Sequence, residues 1–236
     1  MRINKLALTN FRSYNALELE LQPGVITFVG DNGSGKTNIA ESLIYLAFLS
    51  SHRVANNVPL ISLGNQQAII RAEVQREDRT LQIDLEINAS KANRARINGN
   101  PTRSQRELLG AIQIVYFSPE DLDLVRGEPG NRRDFLDRLL ITRTPRLAGV
   151  IADYERVVKQ RNALLKTRTS AAALVPWNEQ LIKLGAELTA ERIALIDALN
   201  PWVAQNYANL NEVKPASISY KCSTEGVSNN IESNVT

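Results

Sequence analysis

Alternation of apolar and polar residues is the dominant pattern in the first 125 positions, and it predicts β-strands. The alternation is cleanest over residues 68–74 and 81–87, and the polar segment Arg76–Arg79 between them predicts an antiparallel hairpin. A continuous apolar run, Val25–Val29 within Gly24–Val29, predicts instead a buried central strand. The other predicted strands are Arg2–Thr9, Ala16–Leu21, Arg94–Ile97 before the turn Asn98-Gly99, and Ile112–Phe117.

A repeat of about 3.6 residues marks the helices, and it replaces the alternation after residue 118. Before that point it predicts a helix from Lys36 to about Phe48 and a short one near Gln105–Leu109. The later helices are predicted to start at Ser118-Pro119, near Pro129, at Thr144-Pro145 and after a break at Thr169–Pro176, the last one ending near Asn200-Pro201. Two long helices with a short link predict an antiparallel helical hairpin.

The charge distribution and the composition exclude several classes of protein and favour others. The chain has 236 residues and a net charge of +3, yet residues 126–168 alone hold eleven basic and five acidic side chains, a balance of +6. Such a concentration indicates a surface for a polyanion. The single cysteine excludes a disulfide framework and a zinc cluster of the Cys type. No apolar run approaches the ~18 residues that span a bilayer, and no signal-peptide stretch follows Met1, so we expect no membrane association and a cytoplasmic location.

One short segment carries recognisable chemistry. It fits the phosphate-loop pattern G-x-x-x-x-G-K-[ST] at every fixed position, and it consists of Gly30, Asp31, Asn32, Gly33, Ser34, Gly35, Lys36 and Thr37. Glycines let such a loop curl so that its N–H groups point at phosphate oxygens, and the following helix adds the positive end of its dipole. We therefore expect Lys36 to reach the β- and γ-phosphates of ATP and the Thr37 hydroxyl to hold Mg²⁺. The alternative is an incidental glycine-rich turn.

Hydrolysis would also require an acidic pair after a second apolar strand, one acid to hold Mg²⁺ and one to position water. The apolar runs that end in Asp153 and Asp197 are candidates, but both lie in helical stripes and neither is followed by a second acid. We interpret them as solvated helix faces. Ser62–Gln67 looks superficially like the signature sequence of ABC-type ATPases, but its position between a helix and a strand indicates a turn.

Two segments near the start of the chain, Asn10–Tyr14 and Gly30–Asn38 followed by Glu41, form a recognisable combination. Together these segments resemble the SMC/Rad50/RecF class of ABC-type ATPases. Those that narrow it to the RecF family of bacterial recombination mediators are Ser51–Arg53, Phe117–Leu122, Arg132–Asp137, and Trp177 with Leu181, Gly185 and Arg192. The resemblance implies an α/β fold in which a P-loop ABC-type ATPase head lobe, with a mixed sheet and an antiparallel β subdomain, is joined to a helical arm.

The resemblance also implies a domain organisation. We expect a P-loop ATPase lobe at 1–125, a helical arm domain at 126–212, and at 213–236 either the start of a return into the lobe or a disordered tail. In the RecF family the signature motif and the Walker B acids lie further along than this chain reaches. We therefore expect these residues to be inactive alone in hydrolysis, although the family is a weak ATPase.

The function implied is that of an ATP-dependent DNA-binding protein of recombinational repair and replication, in which ATP switches dimerisation and DNA binding. The implied cofactors are ATP and Mg²⁺. The implied partners are DNA, mediator proteins such as RecR, and a second copy of the complete protein in an ATP-dependent homodimer. The DNA would be a single-/double-strand junction or a duplex, bound with weak sequence specificity. The alternatives are a non-catalytic nucleotide-binding fragment or interaction module, and another class of P-loop ATPase.

Two interpretations stay open for the individual side chains near the loop. The resemblance implies that Arg12 contacts the nucleotide, since a guanidinium matches phosphate geometry, but a surface turn would also explain it. Asn32 and Asn38 either contact phosphate or shape the turn. His52, with Arg53, either senses the nucleotide or has a structural role.

The candidate DNA contacts lie in the basic segment 126–168. Arg132 and Arg133 either bind DNA phosphates or form salt bridges with Asp134 and Asp137. A second set, Arg156, Lys159 and Arg161, lies within about a turn and a half of helix and forms either a basic patch or an ordinary solvated face.

Overall fold

Six β-strands, five α-helices and three short 3-10 helices make up the regular structure of the residues that the computed structural model describes, namely 1–51, 53–54, 56–167, 170–210 and 216–222. The 3-10 helices are Val58–Leu60, Gln105–Leu108 and Pro119–Leu122. The strands are β1 (Arg2–Phe11), β2 (Tyr14–Glu20), β3 (Gln67–Arg76), β4 (Arg79–Asn88), β5 (Arg94–Ile97) and β6 (Asn100–Pro101). The helices are α1 (Lys36–Phe48), α2 (Asp123–Arg126), α3 (Pro129–Arg143), α4 (Leu147–Lys166) and α5 (Ala171–Ala208). These elements fall into two compact units, one formed by Met1–Asp121 and the other beginning at Leu122.

The first unit is built on one sheet with the strand order β2-β1-β3-β4-β5-β6. Every ladder in this sheet is antiparallel. The predicted hairpin is confirmed, since β3 pairs with β4 from Gln67↔Asn88 to Arg76↔Arg79. The predicted turn at Asn98-Gly99 is also present, and both residues have positive φ angles, 51° and 77°, as a tight two-residue hairpin turn requires.

The core of this unit lies on one face of the sheet. Residues that alternate along β3 and β4 are buried there, and α1 contributes Ile39, Tyr45 and Leu46 to the same cluster. Each fully buried aliphatic side chain of this kind contributes roughly 1.5–3 kcal/mol by leaving water. The alternation predicted for residues 68–74 and 81–87 is therefore confirmed as the pattern that buries one face of the sheet.

Two predicted strands are wrong, and with them the expectation of a mixed sheet. Neither Gly24–Val29 nor Ile112–Phe117 lies in a strand, although both are extended apolar runs. Val25 and Phe117 are 98% and 82% exposed. An apolar run encodes a tendency to be buried but does not specify a hydrogen-bonding neighbour, and no described strand pairs with either segment. The parallel pairing that a mixed sheet would need is limited, in the described residues, to one isolated bridge between Leu109 and Ile112.

The second unit contains the predicted antiparallel helical hairpin. Arg146, just before α4, contacts Glu187 and Glu191 of α5, whereas Arg161 near the end of α4 contacts Asn178 near the start of α5. The two helices approach closely at Gly185, where a Cβ atom would lie 3.3 Å from the Tyr154 ring. None of the helices in the described residues is long and apolar enough to cross a membrane.

Helix α5 is longer than the sequence predicted. It begins at Ala171 and contains both Pro176 and Pro201, whereas the prediction placed a break at Thr169–Pro176 and an end near Asn200-Pro201. A proline inside a helix removes one hydrogen bond and costs about 3 kcal/mol. Packing offsets this cost here, because Leu188 and Ile196 of α5 are buried against α3 and α4. A rule that considers only the local sequence around a proline does not take such tertiary contacts into account.

A bidentate ion pair joins α3 to α5 inside this unit. Arg192 donates from Nε and Nη2 to the two carboxylate oxygens of Asp137, at 2.8 and 2.7 Å. Both side chains are nearly buried, with 9% and 13% of their surface exposed. Asn200 holds the segment 216–222 in a similar way, since its side-chain amide donates to and accepts from the backbone of Ile218.

Candidate nucleotide-binding site

The phosphate-loop segment leads directly into helix α1. Gly30 to Ser34 are exposed, and Gly35 is the residue at which the helix is capped, with a left-handed φ of 98°. Gly33 also has a positive φ, 84°. These conformations are ones that residues with a Cβ adopt at a cost, which is why glycine is needed at both positions.

The Lys36 ammonium lies within the curve of the loop. Its Nζ donates to the carbonyl oxygens of Gly30 and Asp31 at 2.8 and 2.7 Å. Thr37, the next residue, is exposed in the first turn of α1. The first N–H groups of a helix have no partners within it, and they form the positive end of its dipole. A lysine ammonium, an exposed threonine and these N–H groups therefore all belong to the start of α1, and together they supply the kinds of donor that bind phosphate.

The turn between β1 and β2 packs against the loop from the side. Asn38 donates from Nδ2 to the Ser13 hydroxyl at 3.0 Å. A Cβ atom on Gly35 would lie 2.7 Å from the Tyr14 hydroxyl and 2.8 Å from Ser13 Oγ, so only glycine fits at this position. The shape of the loop therefore depends on this turn as well as on its own glycines.

Alanine substitutions at Gly33 and Gly35 should separate the effect of backbone strain on stability from the effect of steric crowding. Gly33→Ala is expected to cost about 1–2 kcal/mol because of the left-handed conformation alone, since no atom lies within 4 Å of its Cβ position. Gly35→Ala carries the same strain and a clash with Ser13 and Tyr14, which should add about 1 kcal/mol or more. Urea unfolding of both variants measures the difference, and equal stability would contradict the packing of the β1–β2 turn on the loop.

A buried carboxylate, Glu41, lies one turn beyond the loop on α1. Its side chain is completely buried. Arg12 donates to it from Nε at 2.9 Å and from Nη2 at 2.5 Å, and the Ser51 hydroxyl donates at 2.5 Å. Arg53 approaches the same carboxylate at 3.6 Å. A buried charge requires such partners, because removing an ion from water without compensation is costly.

These contacts determine the ionisation of Glu41. Burial acts to raise the pKa of this carboxyl, but the hydrogen bonds from Arg12 and Ser51, with the charges of Arg12 and Arg53, outweigh it and hold the pKa below the ordinary 4.5. A depressed pKa in the folded state means that ionised Glu41 stabilises the fold above the ordinary pKa. That stabilisation is lost as the pH falls through the lowered pKa.

The structure brings most of the predicted loop residues together. Gly30, Asp31, Ser34, Lys36 and Asn38 are connected by the contacts above or by the bond from Ser34 N–H to the Asp31 carbonyl. Asn32 is exposed in the loop, and His52 lies outside the described residues. Any contact of these residues with a nucleotide stays a prediction.

The environment of Arg12 is not that of an arginine in an ordinary surface turn. Its φ is 53°, its side chain is 17% exposed, and Nη1 donates to the Pro59 carbonyl in addition to the pair with Glu41. Three of the five donors of the guanidinium are used in these contacts. The sequence had indicated Arg12, and Glu41 only as one of the residues that carry the family resemblance, without showing that the two form a pair. The position of Glu41 among the buried residues of a helix was a second signal, since a buried carboxylate requires a partner.

The candidate DNA-contacting residues differ in their exposure and in whether they already have partners within the protein. Arg132, Arg133, Arg156 and Lys159 are exposed, and Arg156 pairs with Asp153 of its own helix, at 2.8 Å. Arg132 donates to the carbonyl oxygens of Leu124 and Gly127, and Arg161 donates to Asn178 of α5 at 2.7 Å. The candidate DNA contacts are therefore most accessible at Arg133, Arg156 and Lys159, while Arg132 and Arg161 have partners within the unit.

Comparison with known proteins agrees with this geometry. Residues 1–169 match the AAA ATPase domain family. The chain belongs to that family. The match covers the loop, helix α1 and the sheet of this AAA ATPase domain, and it continues through α4.

Curated relatives of this AAA ATPase domain confirm the resemblance to RecF. The chain is 47% identical to the DNA replication and repair protein RecF of Streptomyces avermitilis over 96% of its own length and 64% of that protein. It is 50% identical to RecF of Kineococcus radiotolerans over 83% of its length and 52% of that protein. The chain thus spans between half and two thirds of the length of these relatives.

Two solved structures confirm the fold class. The structure of the recombination mediator protein RecF-ATPrS in the RecFOR pathway superposes with a TM-score of 0.84, at 24% identity, over 89% of this chain and 58% of that one. The corresponding RecF-ATP structure gives a TM-score of 0.78 at 25% identity, with the same coverage. The AAA ATPase domain described here therefore has the α/β fold of a P-loop ABC-type ATPase head.

Proposed function

We propose that this chain is the nucleotide-binding part of a RecF-like, ATP-dependent DNA-binding protein of recombinational repair. The observation that carries the proposal is the position of the Lys36 ammonium inside the loop at the start of α1, 2.8 and 2.7 Å from two loop carbonyl oxygens. A cation held there lies where the phosphates of a nucleotide would meet the first N–H groups of the helix. The RecF relatives and the RecF-ATP structure support the choice of ATP.

The residues at the loop fit ATP with Mg²⁺. The N–H groups of the loop and of the first turn of α1 would hold phosphate oxygens, and Lys36 would neutralise charge on the β- and γ-phosphates. The exposed Thr37 hydroxyl would be a ligand of the metal. Arg12, Asn32 and Asn38 would line the sides of the same site.

We extend the proposal to the partners that such a protein would have. ATP bound at the loop would favour a homodimer of the complete protein, and the dimer would bind DNA together with mediator proteins such as RecR. Coupling of this kind requires that ATP bind more tightly to one assembly state than to the other. The names of the relatives, which describe DNA replication, repair and the RecFOR pathway, support this part of the proposal.

A second candidate function, an interaction module, is favoured by one observation. Val25, Val29, Val115 and Phe117 are between 82% and 103% exposed, in two segments of the first unit that lie outside its strands and helices. Apolar surface of this kind commonly marks an interface with another polypeptide. The two candidates differ in nucleotide binding, which the interaction module alone does not require.

DNA binding should depend on the exposed basic residues of α4. Reversing Arg156 and Lys159 to glutamate is expected to weaken binding of a labelled duplex and to lower the slope of log K against log salt by about two, since each phosphate contact contributes about one. Fluorescence anisotropy at several salt concentrations measures both quantities.

The matched control reverses Lys91 and Lys183, two exposed lysines outside the segment 126–168. This control removes the same net charge and should retain most of the affinity for duplex DNA. If the α4 variant and the control bind equally well, the basic residues of α4 form only a solvated face, and the DNA-binding part of the proposal is wrong.

A further inference from the structure

The completely buried carboxylate of Glu41 has no part in the nucleotide contacts proposed above, although it lies only five residues beyond Lys36. Its two oxygens are shared among three side chains from two segments of the chain, one at residue 12 and the other at residues 51–53. Oε1 accepts from Arg12 Nη2 and from Ser51 Oγ, while Oε2 accepts from Arg12 Nε and lies 3.6 Å from Arg53 Nη1. Segments that are distant in sequence are thus joined at one anion behind the phosphate loop.

The two arginines that meet at Glu41 are also connected to the loop. Arg12 belongs to the turn between β1 and β2, whose Ser13 accepts a hydrogen bond from Asn38. Arg53 Nη1 lies 3.4 Å from Asn38 Oδ1, and its side chain is 42% exposed. Asn38 directly follows the phosphate-loop motif, so the turn that contains Arg12 and the side chain of Arg53 both contact the first turn of α1.

We propose that Glu41 is a positioning residue that holds Arg12 and Arg53 beside the phosphate loop, where they assist in binding the anionic nucleotide. This inference rests on the proposed binding of ATP. An arginine side chain loses considerable rotamer entropy when it becomes fixed, and a buried carboxylate that fixes two of them in advance removes that cost from the binding step. Glu41 itself would not touch the nucleotide.

Neutralising Glu41 distinguishes positioning from a simple effect of charge. Glu41→Gln keeps the size of the side chain but removes one negative charge, so the loop becomes more positive by one unit. If only net charge mattered, the variant would bind ATP more tightly. If position matters, the variant binds more weakly, because the Gln amide nitrogen is a donor and cannot accept from the arginines.

The experiment is isothermal titration calorimetry, in which Mg-ATP is titrated into the whole chain. It compares the wild type, Glu41→Gln and a matched control. Asp84→Asn is the control, since it removes the same charge from a carboxylate that pairs with Arg71 on the sheet rather than with the loop. We expect affinity about tenfold weaker for Glu41→Gln, a change typical of residues that orient binding groups, and unchanged for Asp84→Asn. Equal or tighter binding by folded Glu41→Gln would overturn the proposal.

A second pair of variants covers the case in which Glu41→Gln does not fold. Arg53→Gln changes a partly exposed residue and should fold, and it is expected to weaken ATP binding severalfold. Where both variants fold, Glu41→Gln should weaken binding less in the Arg53→Gln background than in the wild type, because it acts in part through Arg53. Wild-type affinity in Arg53→Gln would contradict the positioning role. Absence of ATP binding by the wild type would instead contradict the proposed function itself.

Discussion

Replacing Lys36 with alanine is expected to weaken the binding of Mg-ATP by about a hundredfold or more. Hydrogen bonds to a charged group contribute about 1.5–3 kcal/mol each, and a lysine that reaches two phosphates makes at least two of them. A loss of about 3 kcal/mol corresponds to roughly a hundredfold in affinity. Equilibrium binding of a fluorescent ATP analogue measures the change.

The control for this prediction is Lys91→Ala, which removes the same charge from a lysine that pairs with Glu86. It should bind ATP as the wild type does. The Lys36 variant should remain folded, because its hydrogen bonds with the loop are exposed. Similar affinities for wild type and Lys36→Ala would mean that the loop is not the nucleotide site.

Replacing Arg192 with alanine is expected to destabilise the second unit by about 3–5 kcal/mol. The substitution leaves the Asp137 carboxylate nearly buried and without the guanidinium that donates to both of its oxygens. Breaking one side of a buried pair costs this much because an uncompensated charge remains. Urea unfolding followed by far-ultraviolet circular dichroism measures the loss, since helices α3, α4 and α5 dominate that signal.

Arg146→Ala is the matched control for Arg192→Ala. Arg146 also links neighbouring helical segments through two carboxylates, Glu187 and Glu191, but 60% of its side chain is exposed. Exposed ion pairs contribute little to stability, so its unfolding midpoint should barely change. If the two variants unfold at the same urea concentration, the Arg192–Asp137 pair does not stabilise the unit as described.

The parts of the fold that follow a local rule were predictable from the sequence. Helix α1 was predicted at the bounds it has, because a glycine-rich loop and an apolar stripe mark it. The β3–β4 hairpin follows from alternation and a polar turn. Both elements are determined by residues adjacent in the chain, and so is the phosphate-loop motif.

The parts that depend on distant residues were not predictable. Val25–Val29 has the composition of a central strand, but a strand also requires a neighbour that this pattern does not name. Pro201 was predicted to end α5, yet the helix continues to Ala208. In the site, the partners of Glu41 come from residues 12, 51 and 53, and no spacing rule connects them.

The central claim is that ATP binds at the loop Gly30–Thr37, and hydrogen–deuterium exchange with and without Mg-ATP tests it most directly. Bound phosphates would accept hydrogen bonds from the N–H groups of the loop and of the first turn of α1. The account predicts slower exchange at residues 30–38 in the wild type and no change there in Lys36→Ala. Protection confined to another part of the chain, or unchanged exchange at the loop in the presence of saturating Mg-ATP, would contradict it.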